Sequence, residues 1–228
     1  MDIQKPKNKF INAILHASSL AIIGELKLAS PTNPYLGDKE DIRRKISEYS
    51  CCGISAVSII TEKHFFKGDI GCIALVKQHT KLPILQKDFV IDESQVYQAK
   101  CLGVDALLLI ARILTTKKLA EFVELTQKLG IEPVVEIASD EDLKKALKTT
   151  TRIIAANARN LNTLEVDVEK ACQLLKKLPK HLVPLGFSGV NSSKEIAQYK
   201  NAGARGVLIG TSLMQASNTK EFIRSLGI

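Results

Sequence analysis

Tryptophan is absent from this chain, and aromatic residues make up only 5% of it. A single-stranded nucleic-acid binder needs successive rings on which bases stack, so that class is disfavoured. Long apolar runs are missing too. None reaches about 18 residues, the length a membrane-spanning helix requires. The four histidines, His16, His64, His79 and His181, stand apart, with no HxH or HExxH spacing, so the common metal-site patterns are not present. No Ser–His–Asp arrangement stands out, and no GxGxxG follows the first apolar run. The five cysteines, Cys51, Cys52, Cys72, Cys101 and Cys172, contain no CxxC pair. An odd number of them in a chain of 228 residues points to reduced thiols and a cytoplasmic setting. The N-terminal stretch MDIQKPKNKFINAILHASSLAIIG sets basic residues before an apolar run, as an export signal does. His16, Ser18 and Ser19 interrupt that run and no A-x-A-like site follows, so export is not expected.

What remains is ordinary globular material, 45% hydrophobic and 25% charged, with a formal charge of +8. No linker, low-complexity tract or change of composition divides it, so 1–228 reads as one domain. The lysines are spread along amphipathic segments such as TTKKLAEFVELTQKLG, where they form solvated helix faces. A basic surface without stacking platforms suits a small anionic substrate better than a nucleic acid.

One unit recurs eight times. Short apolar runs rich in β-branched residues occur at 21–27, 56–61, 83–89, 106–114, 132–137, 152–159, 182–189 and 206–213. They are apolar on both faces, as strands covered on both sides must be. Between them lie segments with apolar residues three and four apart, for example SQVYQAKCLG and EDLKKALK, which read as helices. Several close on glycine, at Gly103, Gly130 and Gly203, where a left-handed residue ends a helix. Strand–helix alternation gives a parallel sheet. Eight units in this length predict the closed (β/α)8 TIM barrel rather than a doubly wound sheet. Residues 1–20 read as a helix covering the bottom or side of the barrel.

Active sites of such barrels lie at the C-terminal ends of the strands. Polar residues interrupt the apolar runs there: Glu25 and Lys27 on the first strand, Lys87 and Asp88 on the third, and Glu136 on the fifth. Asn157 and Arg159 follow on the sixth, Ser188 and Gly189 on the seventh, and Gly210, Thr211 and Ser212 on the eighth. The small residues after the last two strands form the usual phosphate site of this barrel, backbone N–H groups aimed at an anion. A carboxylate with two lysines suits proton transfer, the lysine donating to a carbonyl oxygen and the carboxylate accepting in return.

The segments IIGELKLASPT, QKDFVIDESQ, VVEIAS, NARNL, FSG and LIGTSLM, in that order, resemble the indole-3-glycerol-phosphate synthase family of tryptophan biosynthesis, from about Phe10 to the end. The resemblance implies a barrel using neither cofactor nor metal. It implies ring closure of 1-(2-carboxyphenylamino)-1-deoxyribulose 5-phosphate with loss of carbon dioxide and water. By motif, Lys87 is then the general acid toward the ribulose carbonyl, and Lys27 holds substrate and assists proton transfer. Glu136 serves the dehydration, while Glu25 and Asn157 orient substrate hydroxyls and the lysines. Arg159 matches the residue that meets the anthranilate carboxylate. Phe66, Phe89, Leu108 and Leu161 match the walls of the aromatic-ring pocket. Ser188, Gly189, Gly210 and Thr211 match the phosphate cradle, with Ser30 nearby. Other enzymes of the tryptophan pathway are the partner class the resemblance suggests.

The chain departs from the family pattern at several points. The family has Glu-Ser-Gly at the seventh strand, and here Phe187 precedes Ser188 and Gly189. A ring cannot accept a hydrogen bond, so Lys27 or Lys87 is expected to lack a partner, at a cost of about 1.5–3 kcal/mol. If that loss is damage, Phe187→Glu raises kcat; if the pocket has repacked around the ring, it does not. Leu28 and Ala29 stand where the family has basic or small polar residues, Asn160 replaces an Asp, and the segment before the first strand is shorter. Two alternatives stay open: a barrel that binds phosphate without closing the ring, and another phosphosugar enzyme such as phosphoribosylanthranilate isomerase.

Overall fold

The structure is a computed structural model that describes residues 8–160 and 163–228. Eight strands form a closed parallel barrel: β1 (Ala21–Leu26), β2 (Ala56–Ile60), β3 (Ile84–Lys87), β4 (Ala106–Ile110), β5 (Glu132–Ile137), β6 (Ile153–Asn157), β7 (Val183–Phe187) and β8 (Gly206–Ile209). β1 also pairs with β8, with Ala21 opposite Gly206, which closes the ring. A first helix, α1 (Lys9–Leu15), precedes β1. The strands are then followed in turn by α2 (Lys39–Cys51), α3 (Gly71–His79), α4 (Glu93–Leu102), α5 (Thr116–Lys128), α6 (Asp140–Ala146), α7 (Val168–Leu175) and α8 (Ser193–Asn201). After β8 come a short α9 (Thr211–Gln215) and α10 (Thr219–Ser225).

The strands are apolar on both faces because each face has its own core. Ala106, Leu108 and Ile110 point into the barrel, while Leu107 and Leu109 pack under the helices. The fourth apolar run, expected to be extended through 114, leaves the strand at Ile110 and makes a 3-10 turn over Ala111–Ile113. Helices α4, α5 and α8 end at Gly103, Gly130 and Gly203, all with positive φ, the conformation that glycine adopts without steric cost.

Helix α1 lies at the N-terminal end of the barrel. Its Phe10, Ile11 and Ile14 join the interior cluster with Ile23, Leu85 and Leu185. Its N-cap, Asn8, accepts a hydrogen bond from the Phe10 amide and donates through Nδ2 to the Asp105 carbonyl just before β4.

Candidate active site

Strand alternation decides which residues enter the site. Side chains repeat every second residue, and the inward phase is fixed by Ile23, Leu85, Val134, Ala155 and Leu185. The next inward positions are Glu25, Lys87, Glu136, Asn157 and Phe187. Four of these line one cavity of about 460 Å3 at the C-terminal mouth; Phe187, fully buried, does not. Lys27, Ser30, Phe66, Phe89, Leu108 and Arg159 line it as well. A second, polar cavity of about 120 Å3 adjoins it and is bounded by Ser188, Gly189, Gly210 and Thr211. Glu25, Lys27, Arg159 and Ser188 belong to both. Leu161 lies outside the described residues.

Glu25 organises the larger cavity. Its Oε1 meets Lys27 Nζ at 3.0 Å and its Oε2 accepts from Lys87 Nζ at 3.3 Å. Burial alone would raise its pKa, but the two ammonium groups outweigh that and lower it to about 2. Burial pulls Lys87 down, yet Glu25 and Glu136 together hold its pKa above the ordinary lysine value. Glu136 is the opposite case: burial pushes its pKa up, and Lys87 and Asn157 only partly oppose this. Asn157 Nδ2 donates to Glu136 Oε1 at 3.0 Å, and Oε2 is buried with no hydrogen-bond partner among the described residues. Asn157 Oδ1 in turn accepts from the Arg159 amide at 2.9 Å. Arg159 Nη1 donates to the Leu164 carbonyl at 2.8 Å, tying down its own loop.

The smaller cavity has the form of an anion cradle. Ser188 and Gly189 both have positive φ, 69° and 82°. Ser212 Oγ, at the start of α9, lies 2.9 Å from the Val190 carbonyl and 2.8 Å from Asn191 Oδ1, joining the turns after β7 and β8. Gly210 is required by close approach. A Cβ there would lie 2.3 Å from Glu25 Oε1 and 2.9 Å from Lys27 Nζ. Ser30, expected beside the phosphate, lines the larger cavity, where its Oγ accepts from the Asn33 amide. Asp88 lines that cavity too and is engaged by Thr61 Oγ1 at 2.6 Å and the Phe89 amide at 2.8 Å.

Among the lining residues that escaped the sequence reading, Glu62 and Phe65 lie in the loop after β2. The Glu62 carboxylate accepts from the amides of His64, Phe65 and Phe66 at 2.7, 2.7 and 3.0 Å. That clamp presents Phe65, whose ring stands edge-on to Phe89 at 6.4 Å. The available signal was the polar pair Thr61-Glu62 closing an apolar run, the same kind of interruption that marked the other strands.

Among the described residues, no group of three or more His, Cys, Asp or Glu side chains could hold a metal ion, and no helix is long and apolar enough to cross a membrane.

Solved structures with the same architecture include 3-hexulose-6-phosphate synthase, with a TM-score of 0.71 at 15% identity. A structure of the tryptophan synthase complex from Pyrococcus furiosus gives 0.66 at 18%. Each match covers 91% of this chain and 98% of the other, and at such identity it shows the fold alone. Fold and site together define a (β/α)8 barrel with a buried lysine–carboxylate cluster at the C-terminal mouth. A family model described as indole-3-glycerol phosphate synthase matches residues 1–226, and the chain belongs to that family, whose members are decarboxylating lyases of tryptophan biosynthesis. The synthase of Caldanaerobacter subterraneus subsp. tengcongensis is 37% identical over an alignment of 234 residues that covers 97% of this chain and 91% of that relative. The synthase of Lachnoclostridium phytofermentans is 37% identical over 217 residues, 95% of this chain and 80% of that one.

Proposed function

We propose that Lys87, Lys27 and Glu136 carry the ring closure. The observation that supports this most is the pairing of Lys87 with Glu25 at 3.3 Å in the cavity that the unpaired Glu136 Oε2 borders. The substrate phosphate occupies the turns at Ser188–Gly189 and Gly210–Thr211. The anthranilate ring lies among Phe66, Phe89 and Leu108, and its carboxylate meets the Arg159 donors not used by Leu164. Lys87 gives a proton to the ribulose carbonyl oxygen as the ring carbon bearing the carboxylate attacks the carbonyl carbon. A carbon–carbon bond forms and the carbonyl π pair becomes a hydroxyl. Carbon dioxide leaves, and its bonding pair restores the aromatic ring. Lys27 supplies the proton with which the new hydroxyl departs as water, and Glu136 takes the proton lost as the indole forms. Both lysines regain their protons from solvent, and Glu136 gives up to solvent the one it took. Glu25 holds the two ammonium groups a few ångströms apart, and Asn157 orients Glu136.

We further infer a cytoplasmic setting, since all five cysteines are free thiols. Transient association with other enzymes of the tryptophan pathway is the partner class that goes with this reading. The test mixes purified protein with carboxyphenylamino-deoxyribulose phosphate and follows indole fluorescence. Product is expected from the wild type and none from Lys87→Met, which still binds inorganic phosphate with nearly unchanged affinity. Loss of both activity and phosphate binding in Lys87→Met contradicts the assigned role.

A further inference from the structure

Phe187 stands where the family pattern has a carboxylate, and the structure gives it a partner. Lys87 Nζ lies 5.3 Å from the centroid of its ring, within the roughly 6 Å over which a ring face attracts a cation. Phe187 is fully buried among Leu185, Leu208 and the rest of the barrel interior. It does not line the cavity, so the ring meets the ammonium from the interior side, leaving the opposite side to the substrate.

Glu25 and Phe187 both flank the Lys87 ammonium, on which the charges of Glu136 and Arg159 also act, and the strands of the first two are held in the same way. Gly24 precedes Glu25, and Tyr49 of α2 packs against it so closely that a Cβ would lie 2.7 Å from the ring. The Tyr49 hydroxyl donates to the Glu25 carbonyl at 3.4 Å. Gly186 precedes Phe187, and a Cβ there would lie 2.3 Å from Tyr199 of α8. The Tyr199 hydroxyl reaches the carbonyls of Phe187 and Ser188 at 3.2 and 2.9 Å. Both tyrosines are fully buried. Position 187 is thus as firmly placed as position 25.

A carboxylate at 187 would accept an N–H of the ammonium. A ring attracts the charge without accepting a directed hydrogen bond. Among the described residues the hydrogen bond of Lys87 Nζ goes to Glu25 Oε2, and an ammonium has three donors. We propose that Phe187 is a positioning residue of the ring closure: its face holds the Lys87 ammonium in place while leaving N–H donors for the substrate carbonyl. The inference rests on the functional reading above.

The experiment compares wild type with Phe187→Leu, Phe187→Tyr and Phe187→Glu by indole fluorescence across pH. In parallel, the 13Cε resonance of Lys87, assigned by its disappearance in Lys87→Met, is titrated in each. In Phe187→Leu, kcat is expected to fall about tenfold with KM little changed and the thermal midpoint lowered by a few degrees, as for a large-to-small change at a fully buried site. Lys87 is expected to begin titrating at lower pH, and the alkaline limb of kcat to move with it. Phe187→Tyr, which keeps a ring face, is expected to retain both properties. An unchanged kcat and unchanged Lys87 titration in Phe187→Leu overturn the proposal, as does a higher kcat in Phe187→Glu. If the wild type itself forms no product, the reaction assigned above fails. The Lys87 titration in Phe187→Leu then decides the ring's role alone: a lower onset supports it and an unchanged onset overturns it.

Discussion

Glu136 and Asn157 carry the clearest pH dependence at the scale of single residues. If Glu136 is the base, as proposed above, it must be ionised, and turnover is expected to rise with pH as it loses its proton. Burial raises that pKa above the ordinary carboxylate value, and the Asn157 hydrogen bond opposes the rise. Removing a hydrogen bond to a charged group costs about 1.5–3 kcal/mol, or roughly one to two pH units. In Asn157→Leu the acidic limb of kcat is therefore expected to move up by about one unit. A limb that stays in place assigns it to another group. These residues were legible because each breaks an apolar strand in the inward phase. Lys45 was not. It sits on a helix whose lysines read as solvated, yet it is fully buried, with Nζ donating to the Ala216 carbonyl at 2.7 Å and to Thr219 Oγ1 at 3.1 Å. Nζ also meets Glu48 on its own helix at 3.1 Å, but the other two partners lie about 170 residues away in the chain, beyond what local periodicity reports.

Among elements, the loop after β2 makes the sharpest prediction. Its shape depends on one carboxylate that accepts three backbone amides. Glu62→Ala leaves those amides without their acceptor and frees the Phe65–Phe66 wall. KM is expected to rise about tenfold, the scale of one charged hydrogen bond, with kcat changed less than twofold; steady-state kinetics decide it. A large fall in kcat at constant KM would place Glu62 in the chemistry instead. All eight strands could be read from apolar runs, because a strand covered on both faces has no polar side. The same property concealed the end of β4. Ala111 in the following turn is also buried, and Lys145 of α6 donates to the Ala111 and Leu114 carbonyls at 3.4 and 3.3 Å. Apolar continuity cannot separate a buried turn from a buried strand.

For the whole molecule, α1 acts as the floor of the barrel. Phe10→Ala removes a fully buried ring from the interior cluster, a change that costs about 3–5 kcal/mol. In a domain of this size each kcal/mol lowers Tm by about 2–4 °C, so calorimetry is expected to show a drop of roughly 10 °C, with kcat at low temperature unchanged. Retention of the wild-type Tm would mean that the floor is dispensable. The excess of positive charge also divides at this scale. The sequence suggested a basic mouth, and Lys27, Lys87 and Arg159 do gather there. Other lysines work at the far end. Lys77 of α3 donates to the Leu102 and Gly103 carbonyls at the end of α4, and Lys100 of α4 to the Leu129 carbonyl at the end of α5. Cations there complement the negative ends of helices.

The wall between the two cavities limits how this barrel can diversify. At Gly210 the first methyl group added would lie 2.3 Å from Glu25 Oε1, so the carboxylate that holds both lysines would have to shift. A variant chosen at Gly210 for its grip on a new ligand is therefore expected to change turnover as well.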